Sequence, residues 1–163
     1  MSKTRTADSP AATDLIWQWT RFDDLRPQEL YAAVQLREAV FIVEQKCPYL
    51  DADGRDPDAW HLLGWLETTT GRKLVAYARV FEPGVRYKES SIGRVVTSPE
   101  MRRFGFGRAL MAEALRRIET LAPGGTIKLA AQRYLEGFYS GFGFRTASPP
   151  YEEDGIIHVD MLR

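Results

Sequence analysis

The chain has 163 residues, 44% of them hydrophobic, enough for one domain with a buried core. Lysine plus arginine and aspartate plus glutamate number 22 each, so no overall field draws the protein to nucleic acid or to an anionic membrane, and any charged ligand is held locally. No apolar run approaches the roughly 20 residues that cross a bilayer and no signal-peptide core precedes the first aromatic segment, which implies a cytoplasmic protein; Cys47, the only cysteine, excludes an intrachain disulfide or a cysteine-based zinc cluster and reads as a small buried hydrophobe.

Residues 1–13, "MSKTRTADSPAAT", are small and polar without periodicity, and are expected to be a disordered lead-in to a single domain over 14–163. "LIWQWTRF" suits a first strand. Pro27 opens a helical pattern in which Leu30, Ala33, Val34, Leu36, Val40 and Phe41 recur at three- and four-residue steps, to about Glu44. "CPYLDADGRDPDA" is loop chemistry. "AWHLLGWLET" and "KLVAYARVFE" flank a polar turn with Gly71 and read as an antiparallel hairpin, followed by a third strand, "SIGRVVTS". From Phe104 to Ala122 the set Leu110, Met111, Ala114, Leu115, Ile118 and Leu121 keeps helical spacing, and "PGG" ends the run. "TIKLAAQ" is a short strand, "YLEGFYSGFGF" a short helix and "IIHVDM" a last strand. The order predicts an α/β sheet with at least one parallel crossover and helices on both faces.

The junction "VVTSPEMRRFGFGRAL" carries the functional signal. A turn from a strand into a helix presents unpaired backbone N–H groups where the macrodipole favours negative charge. Glycines at 105 and 107 let a ligand's oxygens approach the backbone, with Arg102, Arg103 and Arg108 beside them, so the expected guest is a phosphate. A Walker loop is excluded because no Gly-Lys-Ser/Thr is present, and the Rossmann fingerprint because Leu110 stands where Gly or Ala is required.

What remains, Arg102-x-x-Gly105-x-Gly107 after Val95-Val96-Thr97-Ser98-Pro99, resembles the pyrophosphate signature of the GCN5-related N-acetyltransferases (GNAT), with Thr97 where that superfamily favours Val. Tyr139, four residues before Gly143-Phe144, matches a second landmark. "LREAVFIVEQKCPYLDADGRD", "AWHLLGW", "LVAYARVF" and "YEEDGIIHVDM" extend the resemblance to the ElaA-like subfamily over roughly 15–162. It implies a central, mixed, largely antiparallel twisted sheet of six to seven strands, flanked by helices on both faces and splayed at the cofactor strand. It also implies acetyl-CoA as acetyl donor without a metal, and a small-molecule or peptide amine as acceptor; a homodimer stays open. Val95, Val96, Thr97, Arg102, Arg103, Phe104, Gly105, Phe106, Gly107 and Arg108 would hold the cofactor, and Gln132 would replace the superfamily's Asn contact.

Amide formation from a thioester requires a neutral amine, an oxyanion donor and a proton for the thiolate. A backbone N–H of Val95, Val96 or Thr97 suits the oxyanion. Tyr139, protonated at neutral pH, suits the acid. Glu44 and His61 are the candidate bases, though His61, sharing a strand face with Leu63 and Trp65, reads first as structural. The loop carboxylates Asp51, Asp53, Asp56 and Asp58 do not make an EF-hand, because Asp56 stands at its glycine position and Leu62 at its closing Glu. A solvated loop is expected there, with attraction of a cationic acceptor as the second use; Arg37 and Arg79 either orient the cleft or pair with these aspartates. Two further readings stay open: an acyltransferase like the acyl-homoserine-lactone synthases, and a CoA-binding sensor without turnover.

Overall fold

The computed structural model describes residues 10–163. Of the expected lead-in, residues 1–9 lie outside the described residues. Ala12–Asp14 form a 3₁₀ turn whose Ala12 packs beside Leu15, so structure starts before residue 14. The strands are β1 (Ile16–Arg21), β2 (Trp60–Thr68), β3 (Gly71–Phe81), β4 (Ser90–Thr97), β5 (Ile127–Gln132), β6 (Arg145–Thr146), β7 (Tyr151–Glu153) and β8 (Ile156–Leu162). The helices are α1 (Pro27–Arg37), α2 (Phe106–Leu121) and α3 (Glu136–Ser140). The sheet runs β1-β2-β3-β4-β5-β8-β6 with β7 beside β8, and only the β4–β5 pair is parallel. Eight strands exceed the expected six to seven because β6 and β7 are pieces of two and three residues.

The expected helix to Glu44 changes character at Glu38. From there to Glu44 the chain is π-helical, and Gln45 N–H bonds to the Val40 carbonyl at 3.0 Å and Cys47 N–H to that of Ile42 at 3.2 Å. Such a widened segment is common beside functional sites. Leu110, Met111, Ala114 and Ile118 of α2 pack on one sheet face with Leu62, Ile92 and Leu129. Ala33 and Leu36 of α1, with Val40, cover the other face over Leu63, Tyr77 and Val96. No helix among the described residues is long and apolar enough to cross a membrane.

The parallel pair is the feature that positions the site. β4 and β5 are registered only at Ser90 with Ile127 and Ser91 with Lys128. Beyond Ser91 the two strands part, and the β4 edge toward β5 loses its ladder. On its other side β4 stays paired with β3 through a bulge near Arg94, whose φ is +51°.

Candidate active site

The parted strands wall a cavity of about 700 Å³. Its remaining walls are the chain after α1 (Gln45, Cys47, Tyr49, Leu50), the loop before β4 (Arg86, Tyr87), the β7–β8 turn and α3. Ser98 N–H bonds to the Val75 carbonyl at 2.8 Å. Antiparallel pairs alternate, so Val96 directs its N–H to β3, while Thr97 and Val95 turn theirs toward the gap. Val96 therefore drops out as an oxyanion donor, and its side chain is core.

Gly107, Thr97, Arg102 and Phe138 are shared with a second depression at the start of α2, where Arg103, Gly105 and Arg108 also stand. Gly105 caps this helix at φ +80°, a left-handed conformation that glycine adopts without a Cβ penalty. The first helical carbonyl bond is from Ala109 N–H to Gly105, so the amides of Phe106, Gly107 and Arg108 are free at the positive end of α2. Arg103, at φ +77°, carries backbone strain beside this turn, as residues at ligand clamps often do. Two expected contacts are corrected: the Phe106 side chain is core, and Phe104 packs partly buried against it, because an apolar ring gains more from burial than from a solvated anion site. Phe106 leaves its amide free at the helix start, and Phe104 lines neither depression.

Tyr139 lies on α3, edge-on to Phe138 and Phe144, and borders the cavity. Its hydroxyl has no hydrogen-bond partner among the described residues. Burial, with Tyr134 nearby, pushes the phenol up, so it keeps its proton. Gln132, at the end of β5, exchanges amide hydrogen bonds with Gln45, one of 3.1 Å. Glu44 is at the mouth, but it accepts a hydrogen bond from Arg102 at 2.7 Å. It thus joins the anion end.

His61 is not brought to the cavity. It is fully buried, Nε2–H donates to the Asp56 carbonyl at 2.9 Å, and Nδ1 accepts from the Tyr77 hydroxyl at 2.7 Å. Burial pushes the ring's pKa down, so it stays neutral with both nitrogens engaged. The other histidine, His158, does line the cavity. Its Nδ1–H donates to the Ile156 carbonyl at 2.9 Å and its ring stacks on Tyr151, leaving the Nε2 lone pair without a partner among the described residues. Sequence reasoning missed it; the available signal was that it is one of two histidines, alternating with Ile157 and Val159 on a strand.

Only part of the acidic loop is solvated: Asp51 and Asp56 are buried, while Asp53 and Asp58 keep exposed surface. Arg37, with no exposed surface, donates from Nε to Asp51 at 2.8 Å and from Nη1 to Asp56 at 3.0 Å. Arg79, also fully buried, donates to Asp53 at 2.7 Å and to Asp56 at 2.8 Å. Arg94 pairs with Asp51 at 2.8 Å. The arginines pair with the aspartates, and the network carries the loop that closes the cavity.

Comparison with known proteins agrees with this geometry. The model of the acetyltransferase (GNAT) domain matches residues 66–163. Escherichia coli ElaA is 42% identical over 149 residues, 90% of this chain and 95% of that protein. Its crystal structure superposes with a TM-score of 0.82, covering 91% of this chain and 99% of that one. An acyl-CoA N-acyltransferase from Pseudomonas aeruginosa is 40% identical with a TM-score of 0.84, again over 91% and 99%. A Bacillus subtilis acetyltransferase solved with CoA shares the fold at 16% identity, with a TM-score of 0.64 over 91% and 97% of the chains. The parted strands, the free amides of α2 and these likenesses lead to one assignment: the chain belongs to the GNAT family of acetyltransferases, among relatives of ElaA.

Proposed function

We propose that the protein is an acetyl-CoA-dependent N-acetyltransferase that moves the acetyl group to a primary amine by direct attack in a ternary complex. The observation that carries this reading is the gap between β4 and β5 opening onto the free amides of α2. The open β4 edge offers hydrogen bonds to an amide-bearing arm, and the helix start with Arg102, Arg103 and Arg108 suits a pyrophosphate. The B. subtilis relative, solved with CoA, supports the same use of the fold. When bound, acetyl-CoA supplies the acetyl group as an activated thioester.

The chain's own residues complete the chemistry. The N–H groups of Val95 and Thr97 face the gap, where charge develops on the acetyl oxygen. Tyr139 donates its proton to the departing thiolate. His158 Nε2 takes the proton that frees the amine, the role first given to Glu44 or His61. Among the described residues neither Cys47, whose Sγ–H donates to the Asp154 carbonyl at 2.9 Å, nor Ser91, whose hydroxyl has no partner, is hydrogen-bonded to His158, which favours direct attack over an acyl-enzyme.

Calorimetric titration with acetyl-CoA, using NADH and ATP as controls, tests the reading. Selective micromolar binding is the expected result, and absence of binding to folded protein overturns it. Glu44→Gln is expected to tighten acetyl-CoA binding by about two- to fivefold, because Arg102 no longer leaves a carboxylate partner to meet the pyrophosphate. In the same variant kcat holds; a collapse of kcat would return the base role to Glu44.

A further inference from the structure

The acceptor end of the cavity holds polar groups that the acetyl-donor site does not use. Arg86 lies over Phe81 and Tyr87, its guanidinium 5.9 Å and 5.3 Å from their ring centroids. The other arginines lining the cavity are tied to carboxylates, Arg94 to Asp51 and Arg102 to Glu44. Acidic residues near Arg86 in sequence are also engaged, Glu82 with Arg21 and Glu89 with Lys88. Arg86 alone among the cavity's described arginines has no carboxylate partner.

A second observation points to the same spot. Ser91 lines the cavity at 3% exposure, and its buried Oγ has no hydrogen-bond partner among the described residues. Register pairs Ser91 with Phe81, the ring beneath Arg86, so the hydroxyl and the guanidinium converge on one patch. Gly93 lies two residues along the same strand face. A Cβ there would stand 4.0 Å from Arg86 Nη1, so the glycine leaves room beside the guanidinium. None of these residues belongs to the depression at the start of α2, where the donor's phosphates are placed. On the β7–β8 side, Glu153 and Asp154 are exposed, carry no ion pair among the described residues and line the cavity with His158.

We infer that the acceptor is a small zwitterion, an amine that also carries a carboxylate, held at its carboxylate by Arg86 and Ser91. This rests on the N-acetyltransferase reading and names its substrate class. Glu153 and Asp154 draw the ammonium end inward. The ammonium gives one proton to His158 Nε2, and its nitrogen bonds to the acetyl carbon as the C–S bond breaks. The thiolate takes the Tyr139 proton, and the second proton leaving the nitrogen restores Tyr139. His158 returns its proton to solvent, so one amide, one thiol and one proton are released.

The test is CoA release from acetyl-CoA with a panel of amino acids, each beside the amine made by its decarboxylation and beside its carboxamide. Short peptides with free C-termini separate a free amino acid from a chain end. Turnover is expected for carboxylate-bearing members. Arg86→Gln is expected to raise the KM for those acceptors by about 10- to 100-fold, the loss of a charged hydrogen bond. Its acetyl-CoA affinity and melting temperature stay unchanged, and Arg86→Lys recovers part of the loss. Ser91→Ala raises the same KM by a smaller factor. If acetyl-CoA binds but no carboxylate-bearing amine is turned over, or the decarboxylated amines serve equally well, the zwitterion falls and the donor reading stands. An unaltered KM in Arg86→Gln also overturns it. Failure of acetyl-CoA to bind removes both.

Discussion

Tyr139→Phe is expected to lower kcat by about 10²- to 10⁴-fold, the usual worth of a positioned proton donor, while acetyl-CoA affinity is unchanged. The split follows from the packing. The ring sits edge-on to Phe138 and Phe144, contacts that Phe keeps, and the hydroxyl has no partner among the described residues whose loss would unsettle the core. Burial pushes the phenol above its ordinary value of about 10. The wild-type kcat therefore shows no alkaline fall from Tyr139 up to at least that pH. Steady-state kinetics beside calorimetry checks both parts, and an equal kcat in the variant removes Tyr139 from the mechanism.

Arg79→Met is expected to cost about 3–5 kcal/mol of stability, because Asp53 and Asp56 then lose a buried cation. For a chain of this size the melting temperature falls by about 10 °C. Burial by itself would raise both carboxyls, but hydrogen bonds and charge, from Arg79 at Asp53 and from Arg37 and Arg79 at Asp56, outweigh it and hold them below the usual range. Their folded pKa values are thus depressed. The stabilisation is complete above the unfolded value of about 3.9 and is lost as pH falls from there through the folded values. Thermal melts should show a constant gap between wild type and variant from pH 7 to about pH 4, narrowing only as the pH falls below that. Because Asp53 and its neighbours Tyr49 and Leu50 line the cavity, folded variant should also show a raised acceptor KM with unaltered acetyl-CoA affinity.

The two halves of the site differ in how far the chain announced them. The donor half is built from neighbours in sequence: β4, the turn through Arg102 and Gly105, and the first residues of α2. Spacing in one short stretch was enough to expect an anion site there, and Leu110, Met111, Ala114 and Ile118 were legible as the buried face of the helix behind it. Two of the loop's aspartates, Asp51 and Asp56, were misread because the loop's composition looks solvated. The loop's arginine partners lie 14 to 43 residues away, and burial of the ion pairs depends on α1, β3 and β4 meeting over the loop.

The histidines show the same limit. His61 and His158 each stand in an apolar strand, and local pattern does not separate them. The sheet order does: β2 is covered by α1 and the aspartate loop, while β8 lies beside β5 at the open gap. The sequence by itself thus determined the α/β class, the family and the turn proposed to bind an anion, because each is carried by short motifs whose residues lie close together in the chain. The tertiary structure decided which residues make up the proposed acceptor side, from Arg86 and Ser91 to His158, because strand order and burial choose which distant side chains share a cavity and which lose their freedom to partners.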